Sequence, residues 1–154
     1  MQPAFSARRP PSVEPCRRAC ESYFETCCLA LYMPKTILFI EDESALQKTF
    51  GEILSQEGYE IIPALDGEIG LEMAKTKKPE LILLDLILPK IHGFEVLKRL
   101  KEDAETKEIP VIILTNLEGI GDVDKAIELG ATTYLVKARY TLTEVLEKIK
   151  KALK

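Results

Sequence analysis

Cysteine, histidine and long apolar runs are what this 154-residue chain has least of. Its four cysteines, Cys16, Cys20, Cys27 and Cys28, all precede Met33. The rest of the chain therefore carries no disulfide framework and suits a reducing cytoplasm. His92 is the only histidine, and neither Cys16-x3-Cys20 nor the adjacent Cys27-Cys28 has the C-x2-C spacing of a zinc site. No apolar run approaches the ~18 residues that cross a bilayer, so no membrane insertion is expected. Positive charge is also short: 21 basic against 25 acidic residues leave a net of -4, which argues against nucleic acid as a direct partner. No Gly/Ser/Thr-rich loop follows the first strand-like run. Glu41-Asp42-Glu43 stands there instead and repels a nucleotide phosphate.

What is present divides near Met33. Before it lie Pro3, Pro10, Pro11 and Pro15, with Arg8-Arg9 and Arg17-Arg18. A short apolar patch over 27–32 follows basic residues but sits beside Glu21 and Glu25, at the lower limit for a secretion signal core. Residues 1–33 read as a disordered extension and 34–154 as one domain. The 46% of apolar residues in the chain is enough for a single good core.

From residue 36 the hydrophobic period alternates between strand and helix. Ile37-Leu38-Phe39-Ile40 is a strand; Leu46, Phe50, Ile53 and Leu54 then recur at helical spacing. Ser44 with Gln47 reads as a capping box opening that helix, and Gly58 ends it. Ile61-Ile62, Leu81-Ile82-Leu83-Leu84, residues 111–114 and Tyr134-Leu135-Val136 are further strands. Helices are expected through Ile69 and Met73, through Phe94, Leu97 and Leu100, through Val123, Ala126 and Ile127 up to Gly130, and through Leu142, Val145, Leu146, Ile149 and Leu153. Such alternation predicts an α/β fold, a doubly wound five-stranded parallel sheet covered on both faces. Runs one, three and four are wholly apolar, as interior strands are. Run two carries Pro63, which belongs on an edge, and run five mixes Thr and Tyr with its apolar residues. The order 2-1-3-4-5 of a flavodoxin-like (βα)5 fold follows, with its switch point between strands one and three. Glu41, Asp42 and Asp85 flank that point, and Lys137 closes the fifth strand.

Four segments carry a family likeness: Ile40-Glu41-Asp42-Glu43, Asp85-Leu86-Ile87-Leu88-Pro89 with His92-Gly93, Leu114-Thr115, and Val136-Lys137. Together they resemble the receiver domain of two-component response regulators, of the stand-alone chemotaxis-regulator kind, over residues 35–154. The resemblance implies that Asp85 is the phosphoacceptor. It makes Glu41 and Asp42 the acidic pair for Mg²⁺, with Asp85 and the backbone carbonyl of Ile87 completing the site. Thr115 and Lys137 are then the groups that contact the phosphoryl, and Tyr134 is the aromatic switch position. Phosphorylation comes from a histidine kinase or phosphotransfer protein. Output is through protein contacts on the fourth helix, fifth strand and fifth helix, residues 121–154.

The chemistry agrees with that likeness. A carboxylate serves as nucleophile and carries phosphate as an acyl phosphate. Phosphoryl transfer needs positioning and charge neutralisation more than covalent help, so such a chain is a phosphoacceptor rather than an enzyme, catalysing at most its own Mg²⁺-dependent phosphorylation and dephosphorylation. Hard oxygen ligands favour Mg²⁺ over zinc. Lys137 is suited to phosphate as a point charge and Thr115 as a hydroxyl donor. Taken singly, each residue has a plainer role: Asp85 as a turn former, the acidic triplet as a first helical turn, Tyr134 as edge packing, His92 as a loop residue. Their joint placement on one rim outweighs those roles. Three departures from the family pattern stand out: Glu-Asp in place of Asp-Asp at 41–42, Asn116 in place of a smaller residue, and Ala138 in place of proline. Two other readings compete: a receiver-like adaptor never phosphorylated, access to Asp85 being narrowed by Asn116, and a flavodoxin-like nucleotide-binding protein.

Overall fold

Residues 34–154 are the part of the chain described by the structure, a computed structural model. The expected disordered extension over 1–33, with its four cysteines, lies outside the described residues. Five strands alternate with five helices: β1 (Thr36–Ile40), α1 (Ser44–Gln56), β2 (Glu60–Ala64), α2 (Gly67–Lys77), β3 (Leu81–Leu84), α3 (Gly93–Glu102), β4 (Val111–Thr115), α4 (Ile120–Glu128), β5 (Thr133–Val136) and α5 (Leu142–Ala152). All strand pairs are parallel, in the order β2-β1-β3-β4-β5.

The apolar runs explain the sheet. Alternate residues of β1, β3 and β4 point to opposite faces, and both faces are covered. Leu38, Ile40, Ile82, Leu84 and Ile113 pack with Ala74 of α2, with Phe94, Val96, Leu97 and Leu100 of α3, and with Ala126 of α4. Ile37, Phe39, Leu81, Leu83, Ile112 and Leu114 pack with Leu54 of α1 and with Val145 and Ile149 of α5. Strands buried on both sides must be apolar throughout, which is what these three runs are. Pro63 sits on β2, as expected, and its orientation explains why it is tolerated. The Glu60 N–H donates to Lys35 O at 3.0 Å, so the period-2 alternation turns the nitrogens of Ile62 and Ala64 towards β1 and that of Pro63 outward.

Two local expectations are corrected. The Ser44–Gln47 capping box does not form: the N-cap is Glu43, and it makes no side-chain cap hydrogen bond. Gln47 is buried instead, and its Nε2 donates to Phe39 O at 3.2 Å and Ala64 O at 3.0 Å. Two strand-end carbonyls within reach outcompeted the local cap. At the other end of α1, Gly58 takes φ +91°, with Tyr59 N–H donating to Leu54 O and Gly58 N–H to Ser55 O. This is the left-handed closure that glycine allows without strain. The second correction concerns α4, where Ala126 is the buried residue; Val123 is half-buried and Ile127 is 50% exposed.

Candidate functional site

The C-terminal ends of β1, β3, β4 and β5 meet at one rim, and hydrogen bonds carry the ladders past the strand ends. Glu41 N–H donates to Ala64 O at 3.0 Å, Asp85 N–H to Ile40 O at 3.0 Å and Lys137 N–H to Thr115 O at 2.8 Å. The residue after each strand is therefore fixed in position before its side chain does anything.

Asp85 is held from two sides. Its Oδ1 accepts from the Ile87 N–H at 3.0 Å, and its Oδ2 accepts from Lys137 Nζ at 2.6 Å. The same ammonium donates to Glu41 Oε2. Glu41 and Asp85 are buried, 1% and 4% exposed, whereas Asp42 is exposed. One carboxylate oxygen from each of the three lies within 4.8 Å of the others. Burial pushes the Glu41 carboxyl up to about 7, against the lowering pull of Lys137. Burial also pulls the Lys137 ammonium down, but its bonds to Asp85 and Glu41 outweigh this and hold it above its ordinary value.

The loop after Asp85 is shaped to keep it there. Leu86 is fully buried and accepts from the Gly93 N–H at 3.0 Å. A Cβ on Gly93 would lie 2.4 Å from the Asp85 carbonyl oxygen and 2.5 Å from Leu86 Cα, so α3 starts against the phosphoacceptor candidate's own backbone. Lys90, at φ +64°, bonds Asp66 Oδ2 at 2.7 Å and pins this loop to the start of α2. His92 caps α3, its Nδ1 accepting from the Phe94 N–H, and stacks on the Phe94 ring.

Of the residues singled out from sequence, Glu41, Asp42, Asp85 and Lys137 come together. Ile87 meets Asp85 through its amide N–H rather than its carbonyl. Thr115 is fully buried next along the rim, its Oγ1 accepting from the Leu117 N–H at 3.4 Å. Tyr134 is half-buried and donates to Leu117 O at 2.9 Å. Thr115 and Tyr134 are thus joined through one peptide of the β4–α4 loop. Asn116 is exposed. Gln47 was read only as a cap; its spacing of seven from Leu54, on the buried stripe of α1, is the signal that placed it inside.

A model of the response regulator receiver domain matches residues 37–150. The DNA-binding dual master transcriptional regulator RpaA of Synechocystis sp. is 38% identical over 122 residues, 79% of this chain. The polar-differentiation response regulator DivK of Brucella anthropi is 37% identical over 105 residues, 68% of this chain and 85% of DivK. A solved structure of a putative response regulator from Chloroflexus aurantiacus matches with a TM-score of 0.74 at 29% identity, covering 79% of this chain and 98% of that one. The chain spans 50% of RpaA and 23% of the response regulator PleD of Caulobacter vibrioides.

Proposed function

This chain belongs to the response regulator receiver domain family, whose members are phospho-accepting signalling receivers, and on that basis we propose that Asp85 is its phosphoacceptor. The observation that carries the reading is the Asp85 carboxylate, buried at the end of β3 and 2.6 Å from the Lys137 ammonium, with Glu41 and Asp42 beside it. Asp85 attacks phosphorus as the carboxylate anion, so no general base is needed. A phosphorus–oxygen bond forms to Asp85, and the bond to the donor's leaving group breaks. Lys137 moves its charge onto the phosphoryl oxygens, and Thr115 turns its hydroxyl towards them.

Receiver domains bind Mg²⁺ at an acidic pocket, and the donors here suit that ion. They are hard oxygens, and their mutual distances of up to 4.8 Å are close to the roughly 4.2 Å between opposite Mg²⁺ ligands. In this reading Asp42 and Asp85 are direct ligands, the Ile87 carbonyl joins them, and Glu41 acts through water. The ion supplies neutralisation of the charge that builds on the phosphoryl oxygens. With it the domain catalyses its own phosphorylation and dephosphorylation.

The donor is a histidine kinase or phosphotransfer protein. Output passes through the face formed by α4, β5 and α5, where Ile120, Ile127, Tyr140 and Leu142 are exposed. On its acidic balance the domain itself makes no nucleic-acid contact; RpaA carries DNA binding in its name, and this chain spans half of RpaA. A cytoplasmic setting suits a phosphorelay, and no helix among the described residues is long and apolar enough to cross a membrane.

Incubation with acetyl phosphate and Mg²⁺ tests the reading. One acid-stable, base-labile phosphoryl group should appear by mass spectrometry, and Asp85→Asn should abolish it. Labelling of that variant at the wild-type rate removes Asp85 from the role.

A further inference from the structure

The loop that leads from Asp85 into α3 is fixed at both ends and turns sharply in its middle. The Ile91 N–H donates to Pro89 O at 2.7 Å, across Lys90 at φ +64°. A hydrogen bond between residues two apart, closed over a positive φ, is the rare and strained form of the γ-turn. A lysine stays in that conformation only where its surroundings hold it there. Leu88 and Ile91 pack against the core on either side of the turn. Its tip is tied by charge. Lys90 Nζ bonds Asp66 Oδ2 at 2.7 Å and lies 3.6 Å from Glu68 Oε2. The Asp66 side chain is 9% exposed, and its Oδ1 accepts from the Ile69 N–H at 2.9 Å as the N-cap of α2. The next residue presses on the same loop: a Cβ on Gly67 would lie 3.2 Å from Ile91 O and 2.6 Å from Val96 Cγ2. Helix α2 thus abuts the loop at Gly67 and grips it at Asp66.

We propose that Asp66 and Lys90 are positioning residues for the cation site, holding the strained turn so that the peptide after Ile87 cannot swing away from Asp85. Ile87 is 50% exposed, so its own side chain does little to hold that peptide. It lies three residues before Lys90, with Leu88 the packed residue between them. Release of Lys90 lets the turn relax. The relaxation runs back along Pro89 and Leu88 to Ile87, because on the other side Gly93 is closed against Leu86. A backbone carbonyl has no rotamers of its own, and the chain on either side sets its aim. The inference rests on the reading that Asp42, Asp85 and the Ile87 carbonyl hold the cation. An ion pair that merely sat on the surface would act on the cation through its charges alone.

Mg²⁺ titration by calorimetry on the full chain tests it, because charge and position predict opposite signs at Lys90. Lys90→Met keeps the apolar stem and removes a positive charge, so charge alone would tighten Mg²⁺ binding. Loss of the tether should instead weaken it by roughly tenfold, the low end for groups that orient a metal ligand. Asp66→Asn should weaken binding to a similar extent while leaving α2 capped, since asparagine caps as well as aspartate. The double variant should bind no worse than the weaker single one, because the two residues act through one contact. Lys90→Arg, which can remake the ion pair, should recover most of the loss. Unchanged or tighter binding in Lys90→Met, or additive losses in the double variant, overturns the proposal. A second measurement is made without metal. Exchange of the Ile87 and Ile91 amides should quicken several-fold in either single variant, while Leu97 in α3 keeps its rate. Rates at Ile87 and Ile91 equal to wild type mean that the turn does not need the pair, and this too overturns the role. Asp42→Asn separates the two levels of inference. If it leaves Mg²⁺ affinity intact, the cation site itself is wrong and the proposal falls with it. If it abolishes binding while Lys90→Met loses nothing, only the positioning role fails.

Discussion

Helices α3 and α4 pack on the same face of the sheet, yet they are held to it very differently. In α3, five of ten residues are buried, Gly93, Phe94, Val96, Leu97 and Leu100, and its first residue touches the Asp85 backbone. In α4, one of nine is buried, Ala126, and two isoleucines, Ile120 and Ile127, face solvent at 83% and 50% exposure. Burial per residue sets local stability. The helix that bears on the phosphoacceptor candidate is therefore fixed, and the helix assigned to output is loosely held. A signalling domain needs both properties, and it places them on consecutive helices.

The same substitution in the first turn of each helix gives the hardest test of that contrast. Gly93→Ala drives a methyl group into the Asp85 carbonyl, backbone that has nowhere to go. It should cost more than about 4 kcal/mol or leave the chain unfolded. Gly121→Ala meets nothing within 4 Å and should gain up to about 1 kcal/mol from helix propensity alone. Thermal melts of the two variants should move in opposite directions, and a shared sign would break the comparison.

Side-chain truncation extends it at a smaller scale. Leu97 is fully buried, so Leu97→Ala should lose about 3 kcal/mol. Ile127→Ala should stay within about 0.5 kcal/mol of wild type. Urea midpoints measure both. A large loss at Ile127 would mean that α4 carries more of the fold than its burial indicates.

The last test is a pH dependence that belongs to the rim and not to α4. The folded Glu41 pKa, about 7, lies above the ordinary 4.5, so the folded state keeps a proton that the unfolded chain has released. Stability of the metal-free domain should therefore be highest below pH 4.5 on this account, and should fall as pH rises towards 7, by on the order of 1–3 kcal/mol. Glu41→Gln should flatten the slope in that window, whereas Asp124→Asn on α4 should leave it in place. Denaturant midpoints measured from pH 4.5 to 7.5 would show it.

Most of the architecture could be read from periodicity because β1, β3 and β4 are buried on both faces, a demand that leaves only apolar residues. Pro63 then placed β2 on an edge, and the strand order followed. Reading failed where a residue had two possible partners. Gln47 fits a capping box by spacing, but spacing does not reveal that strand-end carbonyls lie within its reach. Ile127 fits the helical stripe of α4, but only the packing shows that the stripe is barely used. Asp85 and the acidic pair were legible as strand-end residues. That Lys137 bridges Asp85 and Glu41 was not, because the contact depends on counting strands across the sheet rather than residues along the chain.

Pro63 reaches beyond the strand order. An exposed strand edge invites another chain to add on, rung by rung, through its outward N–H groups. On β2 the outward donor at position 63 is missing, so an incoming strand would find a broken ladder at Pro63, the fourth residue of β2. Recruitment by edge addition is thereby disfavoured beside the acidic rim and left to the β5 side, next to the face proposed for output. One imino acid gives the sheet a closed end and an open end, and so a direction in which it can be extended.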